Sequence, residues 1–457
     1  MADSRAEPAA GSGRVPYNEP ALSPEPAPDP GQALRPDSDS GPERGSHPDV
    51  SVVIAAYEAM PYLVKCLDSV EAQTLPPEHM EIIAVDDGST DGTGAYLDRF
   101  AARTPVPMRV VHQPNSGAPG GPRNLGLTMA RGRYVFFLDA DDYLGHEALA
   151  ALVAMADLAG TDVVAGKVVG VNRGVATSMY TRTVRRADLY TSNVKYALSA
   201  QKLFRRELLV RHGIRFDESL RTGEDALFTM EAYLRASGIS VVADRACYYL
   251  VGREDGKHLT KTGSYTSRFD SARALMGLIA AHLPPGPRRD QLMVRPFTVT
   301  LLPQFGPVVL RQPDEYLRHK MELAAPLMAA YWTPGVARRL RVEQRLRLTS
   351  VALGRPGPLR DVLDFCQEGR LPDVVHRRGR IYLAYPHFDT PAPPGPGIPP
   401  AAYEITVTEQ IGELRIEPRL PLLRRAARRA RHLAGRMADR GPAPTAVDGG
   451  RYVHRSK

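Results

Sequence analysis

The stretch that most constrains the fold is Tyr134-Val135-Phe136-Phe137-Leu138, five apolar residues running directly into Asp139-Ala140-Asp141-Asp142. The run does not alternate polar and apolar residues, so it reads as a strand buried on both faces. Side chains two apart on an extended backbone share a face, which would set Asp139 and Asp141 on one side. Open α/β sheets bind their ligands at the carboxyl ends of such strands. Hard carboxylate oxygens there suit Mg²⁺ or Mn²⁺, and such an ion typically bridges phosphate oxygens. The competing reading is a solvated acidic turn, with Asp142 capping the next helix.

The upstream pattern favours a ligand site. Val50 to Ala56 reads as a strand ending in Tyr57-Glu58, followed by a helical pattern through Tyr62, Leu63, Cys66, Leu67 and Val70. A second strand, Glu81 to Val85, ends in Asp86-Asp87-Gly88-Ser89-Thr90-Asp91-Gly92. A helix on Ala95, Leu97 and Phe100, a strand over Met108 to His112 and a helix over about Arg123 to Ala130 follow. Strands alternating with helices of this length imply βαβ units and a parallel sheet, with right-handed crossovers gathering the polar strand ends on one edge. Three acidic strand ends would repel one another unless a cation or donor-rich ligand lay between them. Neither a G-x-G-x-x-G after a strand nor a G-x-x-x-x-G-K-[ST] loop is present, so dinucleotide oxidoreductase and P-loop readings lack their phosphate cradle.

Composition bounds the rest. A chain of 457 residues that is 43% hydrophobic allows two or three domains with a sizeable core. Residues 1–48, rich in Pro, Gly, Ser, Ala and acids, read as a disordered leader. Cys66, Cys247 and Cys366 have no metal or redox spacing and read as small hydrophobes in a reducing compartment. With neither a transmembrane-length apolar run nor a signal-peptide pattern, the expectation is a cytosolic protein.

In order along the chain, Val52-Val53-Ile54-Ala55-Ala56-Tyr57, the Asp86–Asp91 turn, Pro122-Arg123-Asn124-Leu125-Gly126, Phe136–Asp142, Lys202–Leu209 and Gly223-Glu224-Asp225 resemble the family 2 glycosyltransferases. The resemblance covers roughly residues 49–260, and Asn115 to Asn124 further resembles the wall teichoic acid transferases that decorate poly(ribitol phosphate). It implies an α/β fold of the GT-A nucleotide-diphospho-sugar transferase type, a mostly parallel sheet flanked by helices. The implied donor is a nucleotide-diphospho sugar, most often a UDP-sugar. Ala56 and Tyr57 match positions lining the base, Ala56 standing where many relatives have Pro. Asp87 matches the acid that holds uridine, and Asn115 and Arg123 match donor-contacting positions. Asp139, with Ala140 beside it, matches the residue reaching the ribose or sugar, and Asp141 the ligand of a Mn²⁺ or Mg²⁺. Asp225, with Glu224 beside it, matches the general base of a single, inverting displacement. Gly252–Thr260 reads as a mobile lid whose Arg253 would contact the diphosphate, with His258 near the metal or phosphate. Gln201 and Lys202 are expected on the acceptor side. For Arg123 the plain alternative is a helix-surface arginine paired with a nearby acid.

Residues 261–375 read as a helical appendage with Trp332 in its core, and 376–420 as a small β-rich module. In the transferases it resembles, such modules serve oligomerisation and polymer contact, which makes a homo-oligomer an open expectation. Residues 421–457 carry a basic amphipathic stretch with Arg424, Arg425, Arg428, Arg429 and Arg431 around Leu422, Ala426 and Leu433. That pattern fits an anionic membrane surface, although RNA or an anionic glycopolymer would satisfy the same charges; nucleic acid is not the expected partner. The expected function is transfer of a sugar to a cell-envelope polymer or lipid-linked acceptor, peripherally at the inner membrane face. Alternatives are transfer to a protein or small metabolite, and an inactive nucleotide-sugar-binding module tethered to the membrane.

Overall fold

A computed structural model describes residues 47–253, 264–389 and 397–418. Its first part contains β1 (Val50–Ala56), α1 (Tyr62–Glu71), β2 (Met80–Asp86), α2 (Thr93–Ala101), β3 (Met108–His112), α3 (Gly120–Met129) and β4 (Tyr134–Asp139). There follow β5 (Tyr143–Leu144), α4 (Ala148–Ala159), β6 (Val163–Val171), β7 (Leu203–Arg205), α5 (Arg206–Arg211), α6 (Glu224–Arg235) and β8 (Ile239–Val251). These strands form one eight-stranded sheet in the order β3-β2-β1-β4-β7-β6-β8-β5. The pairs among β3, β2, β1 and β4 are parallel, as the alternating pattern predicts. Beyond β4 the sheet is mixed, with β7 antiparallel to both its neighbours and β8 parallel to β6.

The apolar segments Ile239–Ala243 and Cys247–Leu250 form one strand, and its register against β6 slips around Lys167. The exposed Asp244-Arg245 pair breaks the apolar pattern without breaking the strand. No strand is expected over Val163–Val171, yet β6 pairs along its whole length with β8.

Both faces of β1 are buried, which explains its apolar run from Val52 to Ala56. Val52 and Ile54 share one core with Ile82, Phe136, Leu138 and residues of α1, α2 and α4. Val53 points the other way and joins Ile83, Val135 and Phe137 with residues of α3, α5 and α6. Helix α3 lies so close to the sheet that a Cβ on Gly126 would sit 2.4 Å from Val53 Cγ1. Gly126→Ala gains about 1 kcal/mol of helix propensity, but overpacking a rigid core typically costs about 1–3 kcal/mol. A net loss in denaturant-unfolding stability is expected, largely recovered when Val53→Ala opens the space. A Gly126→Ala protein as stable as the parent would show that α3 is free to shift.

The second core continues into a helical region made of α7 (Tyr265–His282), α8 (Pro287–Arg295), a wide turn over Pro296–Leu301, α9 (Asp314–Tyr331), α10 (Pro334–Ala337), α11 (Val342–Ala352) and α12 (Pro356–Gln367). Phe269, Met276, Phe297 and Phe305 belong to the same buried cluster as Phe228 and Met230 of α6. Trp332 packs on this cluster with its ring 5.2 Å from that of Phe297. Two hairpins follow, β9 (Asp373–Arg377) with β10 (Arg380–Ala384) and β11 (Glu409–Ile411) with β12 (Leu414–Ile416). Tyr403, inside the stretch expected to be β-rich, lies in a 3₁₀ turn over Pro400–Tyr403, where its ring fills a small core with Val342, Leu346, Val362 and Leu383. Among the described residues no helix is long and apolar enough to cross a membrane. The expected leader, His258 and the arginine-rich stretch from 421 lie outside the described residues.

Candidate active site

The loops after β1 and β2 are laced together by their own side chains. Glu58 takes a left-handed backbone conformation, and its Oε1 accepts from the Thr90 N–H at 2.7 Å and Oγ1 at 2.9 Å. Tyr57 is left about half exposed. At the end of β2, Asp86 Oδ2 lies 2.9 Å from His112 Nδ1, and Asp86 Oδ1 accepts from the Ser89 N–H at 3.1 Å. Buried Asp87 accepts from Gln113 Nε2 at 2.6 Å, the Ser116 N–H at 3.0 Å and Ser116 Oγ at 2.9 Å. Gly88 between them has φ +77°, and a Cβ there would stand 2.7 Å from Asn115 N, so only glycine lets the two loops meet. Asn115 Oδ1 is turned back onto the Gly117 N–H at 2.7 Å. The expected repulsion between acidic strand ends is therefore answered at β2 by the protein's own donors.

The centre of the site is Arg123. Helix α3 opens at Gly120, one turn before it, and the side chain points inward, buried against the Phe216 ring. Its Nη2 donates to Asp139 Oδ1 at 2.7 Å, while Nη1 donates to Asp225 Oδ1 at 2.8 Å and Glu224 Oε1 at 3.2 Å. Arg123 is thus no helix-surface arginine; it ties the end of β4 to the start of α6. Gln201 Nε2 takes the other oxygen of Asp139 at 2.5 Å. Gly223 (φ +89°) turns the chain into α6 so that Glu224 and Asp225 occupy its first turn, where acids complement the helix dipole.

One guanidinium faces three carboxylates, so the cluster carries an excess of negative charge. Burial opposes the charge on Arg123, but the three carboxylates more than offset it and push its pKa up. Burial and the Asp225 charge push Glu224 up to about 7, and burial, with Asp139, also raises Asp225. A carboxylate that titrates near neutrality is suited to proton transfer. Lys202 does not line a wall of the site. It is fully buried beneath it, donating through Nζ to the Ser199 carbonyl, and burial draws its pKa down to about 7 against the pull of Asp225.

Strand β4 ends at Asp139, where the Asp142 N–H donates to the Asp139 carbonyl at 3.0 Å and closes a turn. Alternation along an extended chain therefore does not govern Asp141, and Ala140 is buried in the turn. Asp141 Oδ2 lies 4.0 Å from Arg253 Nη1, and Arg253 also donates to the Glu58 carbonyl at 3.0 Å and covers the Tyr62 ring. Burial and the Asp139 charge push Asp141 up to about 6. Asp142 is not a helix cap, since α4 starts only at Ala148. It is buried and accepts from Tyr248 Oη at 2.6 Å and the Val251 N–H at 2.7 Å, pinning the end of β8 from which Arg253 emerges. Burial, then Asp139 and Asp141, push it up to about 8. The pairing of Asp142 with Tyr248 is not legible in the sequence, whose only signal for it is a tyrosine hydroxyl inside an apolar strand needing a buried partner.

Among the described residues no three His, Cys, Asp or Glu side chains gather as a ready-made metal ligand set. With Asp139 held by Arg123 and Gln201, the described residues would offer an ion the single carboxylate of Asp141. That donor fits Mg²⁺ or Mn²⁺, hard ions that take most of their shell from water and phosphate oxygens.

The sequence model described as glycosyl transferase family 2 matches residues 51–213, and that of the glycosyl transferase TarS linker domain matches 266–363. The chain is 41% identical over 212 residues to a poly(ribitol-phosphate) beta-glucosyltransferase of Bacillus spizizenii, covering 46% of this chain and 33% of that one. It is 31% identical over 224 residues to the poly(ribitol-phosphate) beta-N-acetylglucosaminyltransferase TarP of Staphylococcus aureus, covering 48% of this chain and 68% of that one. The crystal structure of S. aureus TarS 1-349 in complex with UDP-GlcNAc superposes with a TM-score of 0.67 at 29% identity, covering 77% of this chain and 99% of that one. The chain thus spans about a third of the B. spizizenii protein but more than two thirds of TarP. The family model lies over β1 to β7, Arg123 and Asp139, and the linker model over the helical region; the chain belongs to the family 2 glycosyltransferases.

Proposed function

We propose that this chain is an inverting glycosyltransferase that moves a sugar from a UDP-sugar to a hydroxyl of a poly(ribitol phosphate)-type polymer. The observation that carries this is Arg123, which joins the Asp139 strand end to the Glu224-Asp225 helix start. A donor held at the strand ends and an acceptor arriving at α6 would meet there. Ala56 and Tyr57 would line the base, with Asp87 and the Asn115 loop behind it, and Arg253 would face the diphosphate. Asp225 would take the proton from the acceptor hydroxyl as that oxygen attacks the anomeric carbon. The bond from that carbon to the diphosphate oxygen breaks, its electron pair leaving with UDP; one displacement inverts the configuration. Asp141 would hold the Mn²⁺ or Mg²⁺, which when bound supplies Lewis-acid stabilisation of the leaving diphosphate. The arginine-rich stretch near residues 421–440 would hold the enzyme against the anionic inner membrane face or the polymer.

Calorimetric titration with UDP-, GDP- and dTDP-sugars, with and without Mn²⁺, tests the donor site. Selective, metal-enhanced UDP-sugar binding is expected, weakened tenfold or more in Asp141→Ala. Binding that ignores both the metal and Asp141, or no binding of any nucleotide sugar, would overturn the reading.

A further inference from the structure

A cavity of about 340 Å³ lies between the start of α6 and the helical region, outside the cluster around Arg123. Its size falls in the range of ligand pockets, about 300–1,000 Å³. Gly223, Arg268, Ser271, Arg295, Thr300 and Gln304 are among its lining, and among the described residues no acidic side chain is. Arg295 ends α8 just before the wide turn. Its Nε is buried without an acceptor, and among the described residues no carboxylate pairs with it. The titratable groups it feels among the described residues are the neutral phenols of Tyr196 and Tyr233 and the buried amine of Lys202.

A buried cation kept without a counter-charge is costly, and a guanidinium opening on a cavity with no acid among its described lining matches the fork geometry of an oxyanion. The hydroxyl of Thr300 adds a neutral donor, while that of Ser271 is turned to the Thr222 and Ser267 carbonyls, and the positive end of α6 opens at Gly223, also in the lining. Gly223 and Ala226, both in the lining, flank Glu224 and Asp225 in the chain.

We propose that this cavity is a phosphate subsite, with Arg295 as its cation, taking a phosphodiester of the acceptor polymer next to the unit presented to Asp225. This rests on the proposed function, since it assigns the acceptor's path past the base. A polymer threaded there would be held by a charge it carries at every repeat, which fixes which hydroxyl arrives at Asp225.

The test uses the full chain with UDP present, so that the donor's own diphosphate cradle is filled. It is titrated calorimetrically with inorganic phosphate and with a phosphodiester-linked ribitol trimer. Trimer affinity is expected to fall tenfold or more in both Arg295→Gln and Thr300→Glu, with UDP affinity unchanged. Thr300→Glu keeps Arg295 and adds a repelling carboxylate from the turn, so the test survives if Arg295→Gln does not fold. Trimer binding equal to that of the parent in either folded variant would overturn the subsite. Binding of inorganic phosphate through Arg295 without binding of the trimer would overturn the polymer assignment. A parent chain that binds the trimer through Arg295 but not UDP would keep the subsite and sink the donor reading.

Discussion

Asp225→Asn is expected to lower kcat for sugar transfer by about 10²–10⁴-fold, the usual worth of a positioned general base, while UDP-sugar affinity stays within about twofold. The amide keeps the shape of the carboxylate and can still accept from Arg123 Nη1, so the link to Asp139 survives. What is lost is the capacity to take a proton. The pH profile supplies a second readout. Burial and excess negative charge raise both Asp225 and Glu224, so the protonated, inactive pair should persist well above the ordinary carboxylate range. The activity of the unmodified enzyme should therefore rise with pH along a limb displaced toward neutrality. The two carboxyls titrate as a pair, so removing one lets the other ionise at lower pH. Glu224→Gln should shift that limb to lower pH and cost much less at the plateau than Asp225→Asn. If Glu224→Gln instead abolishes transfer and Asp225→Asn leaves it, the base has been assigned to the wrong carboxyl.

How far the site was legible depends on the range of the interactions that build it. Asp139 and Asp225 could be singled out because each stands beside a strong local signal, the end of an apolar run or a Gly before a helical pattern. The parallel half of the sheet was legible for the same reason: β1 to β4 are mostly apolar, β-branched segments separated by helical periodicities. Nothing local says that Arg123 meets Asp225, since they lie 102 residues apart with four strands of the sheet between them. Nor could burial of Lys202 be read from a cationic residue at the edge of a short strand. Asp142 shows the limit most directly. Its sequence neighbours suggested a solvated cap, and its real partners, Tyr248 and Val251, arrive from a strand whose own continuity was hidden by Asp244 and Arg245. The β6 strand was missed because its pairing with β8 is purely tertiary, and half of it is only partly buried.

Arg123→Gln is expected to be the most damaging single change in the molecule. Removing one partner of a buried ion cluster strands the others, which typically costs about 3–5 kcal/mol, and here three carboxylates are stranded at once. Arg123→Lys should recover little of this, because one ammonium cannot bridge Asp139 on one side and the Glu224-Asp225 pair on the other as the planar fork does. UDP-sugar binding should fall together with stability, since Asp139 loses the group that orients it and keeps only Gln201. Combining Arg123→Gln with Glu224→Gln separates charge from geometry. The pair restores the cluster's original excess of negative charge but not the bridge, so the double variant should recover part of the stability while donor affinity and transfer stay low. Denaturant unfolding and calorimetry on the four proteins of this cycle give both quantities. If Arg123→Gln unfolds like the parent and binds donor normally, the bridge between Asp139 and α6 is incidental, and the reading of the site as one machine, donor end and base end coupled through a single guanidinium, fails with it.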